Sequence, residues 1–167
     1  TLKQVQAKLN LLVGRIRRLE EGIEIAAPFT FPVLDIDEHG SPEEIARKVR
    51  AYWMLPIGPV HDIIAVIEAA GGIVLRRDLG SPRITAISIR PPIPGARPTF
   101  LLNEGFSADR DRFTLAHEIG HLIMHELPRE TAEREADRFA SEFLMPASEI
   151  RPQLVNIDLA KAATLKR

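Results

Sequence analysis

His117-Glu118-Ile119-Gly120-His121 is the stretch on which the reading of this chain turns. On a helix, two histidines four residues apart stand one above the other, so both imidazoles can bind one ion. The glutamate between them lies beside that ion but off the histidine face, free to move a proton. Downstream, Glu133 to Asp137 reads E-R-E-A-D. On a second helix, such a pair offers one carboxylate to the ion and another to accept a ligand histidine's N–H and fix its tautomer. The expected set is His117, His121 and Glu133 as metal ligands, Glu118 as general base, and Asp137 behind the histidines.

The flanking sequence builds two helices around this set. The first is expected from Asp109 to Glu126, with Phe113, Ala116 and Gly120 on the histidine face. A glycine inside a helix costs on the order of 1 kcal/mol relative to alanine, so Gly120 implies close approach of a strand or of the second helix. After Pro128, the second helix is expected from about Glu130 to Met145, ended by Pro146. Its apolar stripe is Ala136, Ala140, Phe143 and Leu144, and Glu133 and Asp137 share that stripe. Glu135 competes as the third ligand but falls off the stripe, toward water. A tight hairpin would set Glu133 nearly a turn beyond the ideal level, so the helices must splay or Asp137 must stand closer. His125 continues the histidine row past a bound ion, and it and Asn103 are the candidates for touching substrate. Arg110 and Arg112 read as solvated partners of Asp109 and Asp111.

Upstream, Ser41, Pro42 and Glu44 form a helix start with a capping box. Ile45, Val49, Tyr52 and Trp53 give that helix its apolar side. A second helix carries Val60, Ile63, Ile64 and Ile67 and stops at Gly71 and Gly72. Three strands are expected, Ile73 to Arg76, Ile84 to Ile89 and Thr99 to Asn103, although Ile84 is out of phase with Ile87 and Ile89. Thr99 to Asn103, just ahead of the motif helix, is the expected edge for pairing with an extended peptide. The proline-rich segment Pro91 to Pro98 reads as a loop at the mouth of a cleft.

The 167 residues suffice for one compact domain with an appendage, and 45% hydrophobic content allows a core. A net charge of −1 gives no global attraction to nucleic acid or anionic membrane. No apolar run approaches a membrane span. The chain has no cysteine, which leaves histidine and carboxylate as metal ligands and suits a reducing cytoplasm. Leu2, Val5, Leu9, Leu12, Ile16, Leu19 and Ile23 form a heptad seam, either for packing on the domain or for a homodimer. Pro28, Pro32 and Gly40 then mark a linker. The organisation expected is an amphipathic helix and linker over 1–40, a domain over 41–150 and an incomplete helical tail over 151–167. Starting at Thr1, the chain reads as a piece of something longer.

With these residues in place, the chain resembles the ImmA/IrrE-type family of bacterial and phage zinc metallopeptidases. The likeness rests on R-F-T-L-A-H-E-I-G-H from Arg112 to His121, on His125, and on E-R-E-A-D-R-F-A-S-E-F-L-M-P from Glu133 to Pro146. S-P-E-E-I-A-R-K-V-R from Ser41 to Arg50 and L-P-I-G-P-V from Leu55 to Val60 look like the family's helical lead-in. The resemblance implies an α+β, minimal zincin-like metallopeptidase domain, with zinc on His117, His121 and Glu133 and Glu118 as catalytic base. It also implies a protein substrate, a helix-turn-helix transcriptional repressor that such proteins carry or pair with and cut. No helix-turn-helix is visible in this stretch, so direct nucleic acid binding is not expected of it. Asp158 to Arg167 resembles the start of a helical segment that the family completes. The alternative is a metal-binding regulatory module that cuts little and acts through its N-terminal helix.

Overall fold

The computed structural model of the protein describes residues 27–90 and 97–153, with Gly14, Arg15 and Arg18 besides. The expected heptad helix, most of the proline loop and the helical tail lie outside the described residues.

Sequence-local signals start the helices. After a short helix α1 (Ile36–His39) capped by Asp35, helix α2 spans Pro42–Tyr52. Its capping box is complete: the Glu44 carboxylate accepts from the Ser41 N–H at 2.8 Å, and the Ser41 hydroxyl oxygen accepts from the Glu44 N–H at 3.3 Å. Helix α3 (Ile63–Ala69) is capped by the Asp62 side chain, which accepts from the Ala65 N–H. Gly71, at φ +83°, turns the chain out of α3 and into strand β1 (Ile73–Arg77).

Strands β2 (Ala86–Ile89) and β3 (Thr99–Asn103) complete a three-stranded sheet of order β1-β3-β2. β1 runs parallel to β3 and β2 antiparallel to it. This corrects two expectations. Thr99–Asn103 is the central strand, with all its residues buried, and not the edge. The second strand in the chain begins at Ala86, because Ile84 is held in the preceding turn, where its carbonyl accepts from the Asn103 side chain at 2.7 Å.

Helix α4 (Ala108–Met124) carries the motif and helix α5 (Ala132–Leu144) follows it; short turns over Ala147–Ile150 and Arg151–Gln153 close the described chain. α4 and α5 cross at Gly120. A Cβ there would stand 3.1 Å from the Phe139 ring and 3.4 Å from the Ala136 Cα, so the second helix is the element that requires the glycine. The core joins α2, α3, β3, α4 and α5 through residues such as Ile45, Val49, Ile67, Phe100, Ile119, Phe139 and Phe143. Phe31, from the expected linker, is part of the same core, edge-on to Trp53 at 5.1 Å, while the Trp53 indole donates to the Thr30 carbonyl. The buried Arg50 guanidinium ties the end of α5 to the α2–α3 loop, donating to the carbonyls of Phe143, Pro56 and Gly58 at 2.7–2.9 Å. The result is an α+β domain in which a small sheet and a helical layer hold α4 and α5 in fixed register.

Candidate metal centre and cleft

One turn of α4 separates His117 from His121, and their Nε2 atoms converge to 2.9 Å. Glu133, from the first turn of α5, reaches across the crossing. Its carboxylate oxygens stand 3.4 Å from His117 Nε2 and 3.3 Å from His121 Nε2. The Gly120 crossing brings α5 near enough that Glu133 reaches the level of the histidines, and Asp137 need not take its place. One donor atom from each of the three residues lies within 4.8 Å of the others.

The hydrogen bonds behind the rings decide what this point can hold. His117 Nδ1 lies 2.8 Å from Asp137 Oδ1, so the ring's proton belongs on Nδ1 and its lone pair on Nε2. Burial, reinforced by the neighbouring His117, lowers the His121 pKa and favours the neutral ring. Two imidazole lone pairs and a carboxylate facing one point repel each other unless a cation stands between them. Donors bound tetrahedrally at about 2.0–2.1 Å from an ion are about 3.3 Å apart, which the carboxylate–imidazole separations match. The donor set therefore fits a divalent metal. Glu133 and Asp137 lie at the outer, solvent-facing end of their stripe, with side chains 81% and 59% exposed, so the ion's approach is open from α5.

Glu118 points to the other side of α4, toward the sheet. Its Oε2 accepts from the backbone N–H of Ser88 at 3.0 Å and also from the Ser88 hydroxyl. Ser88 lies on β2, opposite Phe100 of β3, and its N–H is directed away from β3. Glu118, His117, His121, Glu133 and Asp137 share a cleft of about 510 Å³. Ala86 and Ile84 line its sheet side, Phe113 its helix side, and Arg83 and Arg110 bring positive charge to it. Phe113, on the histidine face, is 39% exposed because that face of α4 opens on this cleft.

The profile of the IrrE N-terminal-like domain, Peptidase_M78, matches residues 67–161. The chain belongs to this family. The match takes in the sheet, both site helices and every residue of the cleft named above. The IrrE N-terminal-like domain belongs to a metallopeptidase family with a zincin-like fold, in accord with the α+β architecture and with a metal at the His117–His121–Glu133 point. No match was found among curated proteins or among solved structures.

Two of the residues expected near a substrate stand elsewhere in this IrrE N-terminal-like domain. Asn103 is 4% exposed, and its amide is engaged by the backbone of the β1–β2 connection and by Glu104. His125 does not line the cleft; its side chain is 5% exposed and packs between His121 and Glu135. Glu135 does not face water as periodicity implied, since its side chain is only 12% exposed. Burial works to raise its pKa, but hydrogen bonds from Thr131 and His125 and the charge of Arg129 outweigh burial and hold it below the ordinary carboxylate value. Ser88 was not anticipated. It precedes its partner by 30 residues, and nothing local in Ala86–Ile89 points to Glu118.

Proposed function

We propose that this domain is a zinc-dependent endopeptidase acting on a protein substrate, a helix-turn-helix transcriptional repressor in bacterial or phage gene regulation, and that it works in the cytoplasm. The observation that carries the chemistry is the division of labour on α4. His117 and His121 converge with Glu133 on one point, while Glu118, one residue from His117, stays outside that set and faces the same cleft. A divalent ion held there supplies Lewis acidity and makes water acidic near neutral pH, and histidine–carboxylate ligation favours zinc over manganese at equal availability. Glu118 takes the proton from the attacking water as its oxygen bonds to the scissile carbonyl carbon. It then gives that proton to the amine nitrogen as the C–N bond breaks.

Substrate alignment falls to β2, which occupies one side of the sheet and contributes Ala86 to the cleft. Its outward N–H and carbonyl groups can pair with an extended peptide. Among the described residues no helix is long and apolar enough to cross a membrane.

The test measures metal and cleavage on the same preparations. His117→Ala, His121→Ala and Glu133→Ala should each lose zinc by atomic emission. Glu118→Gln should keep it, yet fail to cut a repressor encoded beside this protein. Cleavage by Glu118→Gln at the parental rate would refute the assignment of roles. A zinc-loaded parent that leaves every such repressor intact would favour the alternative of a regulatory module that holds metal without cutting.

A further inference from the structure

The two candidate ligand histidines are held from behind by different devices. Asp137 meets His117 directly, whereas His121 meets another histidine. His121 Nδ1 stands 3.1 Å from His125 Nδ1, and His125 Nε2 stands 3.0 Å from Glu135 Oε2. His125 is the C-cap of α4, where the backbone leaves helical geometry (φ −120°, ψ 98°). One turn beyond His121, its ring lies beside that of His121, centroids 5.2 Å apart. Glu135 in turn faces Arg129 Nε at 3.5 Å.

The proton pattern follows from these contacts together with the proposed role of His121 as a ligand. His121 Nε2 faces Glu133 and His117, so a ligand lone pair there leaves the His121 proton on Nδ1. Two ring nitrogens 3.1 Å apart share a single proton, so His125 Nδ1 must be the acceptor. The His125 proton then belongs on Nε2, where the Glu135 carboxylate accepts it. Each link fixes the next, and Arg129 anchors the end.

We infer that His125 and Glu135 form a buried positioning arm that sets the tautomer and orientation of His121 for metal binding. Partners behind ligand histidines commonly contribute 10–100-fold to metal affinity. His125 is thus assigned as a positioning residue, acting through His121. This inference rests on the metal-binding half of the proposed function and is independent of proteolysis.

Long-range proton–nitrogen NMR of the native chain, with and without zinc, reads the tautomers directly. The expected result is His121 protonated on Nδ1 and His125 on Nε2; a His125 proton on Nδ1 would overturn the arm. Zinc affinity by chelator competition gives a second reading. His125→Phe and Glu135→Leu should each weaken binding about 10–100-fold, and the double variant should be little weaker than either single one. His125→Gln, whose amide oxygen accepts from His121 and whose NH₂ donates to Glu135, should recover binding to within a few-fold of the parent. Folded His125→Phe with parental affinity, or His125→Gln as weak as His125→Phe, would refute the arm. If His125→Phe does not fold, the tautomers of the native chain decide. A native chain that binds no zinc would refute the proposed function instead, and the metal-free tautomers would still judge the arm.

Discussion

Gly120→Ala sets two known effects against each other at the helix crossing. Alanine in place of glycine favours the helix by about 1 kcal/mol. The added Cβ would meet Phe139 ring carbons at 3.1 and 3.3 Å and the Ala136 Cα at 3.4 Å, closer than the 3.5–4.0 Å optimum for carbon contacts. Phe139 cannot swing aside, since it is fully buried and stacked on Phe143 at 5.4 Å. Ala136 meets the new methyl with backbone. The crossing must therefore open by a few tenths of an ångström, and overpacking of this kind costs about 1–3 kcal/mol. The expected net loss is about 0–2 kcal/mol, or up to about 8 °C in Tm for a chain of this size. Glu133 lies one turn before Ala136, so the same opening lengthens its approach to the histidines. Zinc affinity should fall about three- to tenfold, more than a purely global destabilisation would cause in a fully folded sample. Thermal melts of metal-free protein and chelator competition measure the two effects, and adding Phe139→Leu should recover part of both. A Gly120→Ala protein stabilised by the full helix-propensity gain, with zinc affinity unchanged, would refute the close-approach reasoning.

Arg50→Met should destabilise by about 2–4 kcal/mol in urea titration, because it leaves the carbonyls of Phe143, Pro56 and Gly58 without their charged donor. Zinc at about 100 times its Kd should raise Tm by roughly 5–10 °C in the parent and leave the Tm of Glu133→Ala almost unmoved. Burial works to raise the Glu43 pKa, but the hydrogen bonds and charge of Arg138 at 2.8 Å outweigh it and leave the carboxyl below its ordinary value. That contribution is present above the unfolded carboxylate value near 4.3 and is lost as pH falls through the lower folded value. Because the Arg138 side chain is 48% exposed, Glu43→Gln should cost no more than about 1 kcal/mol at pH 7. The difference between the two melts should disappear toward pH 3.

What could be read from the sequence was whatever a single helix encodes by itself. The spacing of His117 and His121 and that of Glu133 and Asp137 are helical geometry, and the Ser41 capping box is local chemistry. Gly120 also announced a close neighbour, though only the structure identifies it as Phe139. Thr99–Asn103 was legible as a strand but not as the central one, because pairing order depends on contacts distant in sequence. Its T-F-L-L-N run did hold the clue, since a near-continuous apolar strand is one covered on both faces. Glu135 misled for a related reason. It lies off the apolar stripe of its own helix, and its burial comes from His125 and Arg129, which no periodicity within α5 registers. The short helix at Ile36–His39 and the burial of Phe31 were likewise hidden in a segment whose prolines suggested only a linker.

The Ser88 N–H has room for one acceptor, and in this structure Glu118 takes it. A peptide adding itself to β2 needs that same donor for a carbonyl of its own. On the proposed peptidase reading, strand addition would take that N–H and leave Glu118 held by the Ser88 hydroxyl alone, a looser tether for a base that must turn toward water. Compact or short amide probes that cannot present a backbone carbonyl to Ser88 would leave both bonds to Glu118 in place, and the shortfall would appear in turnover more than in binding. Part of the pairing energy of a longer chain would then go into readiness of the proton acceptor, a form of discrimination that reads the substrate's conformation before its side chains.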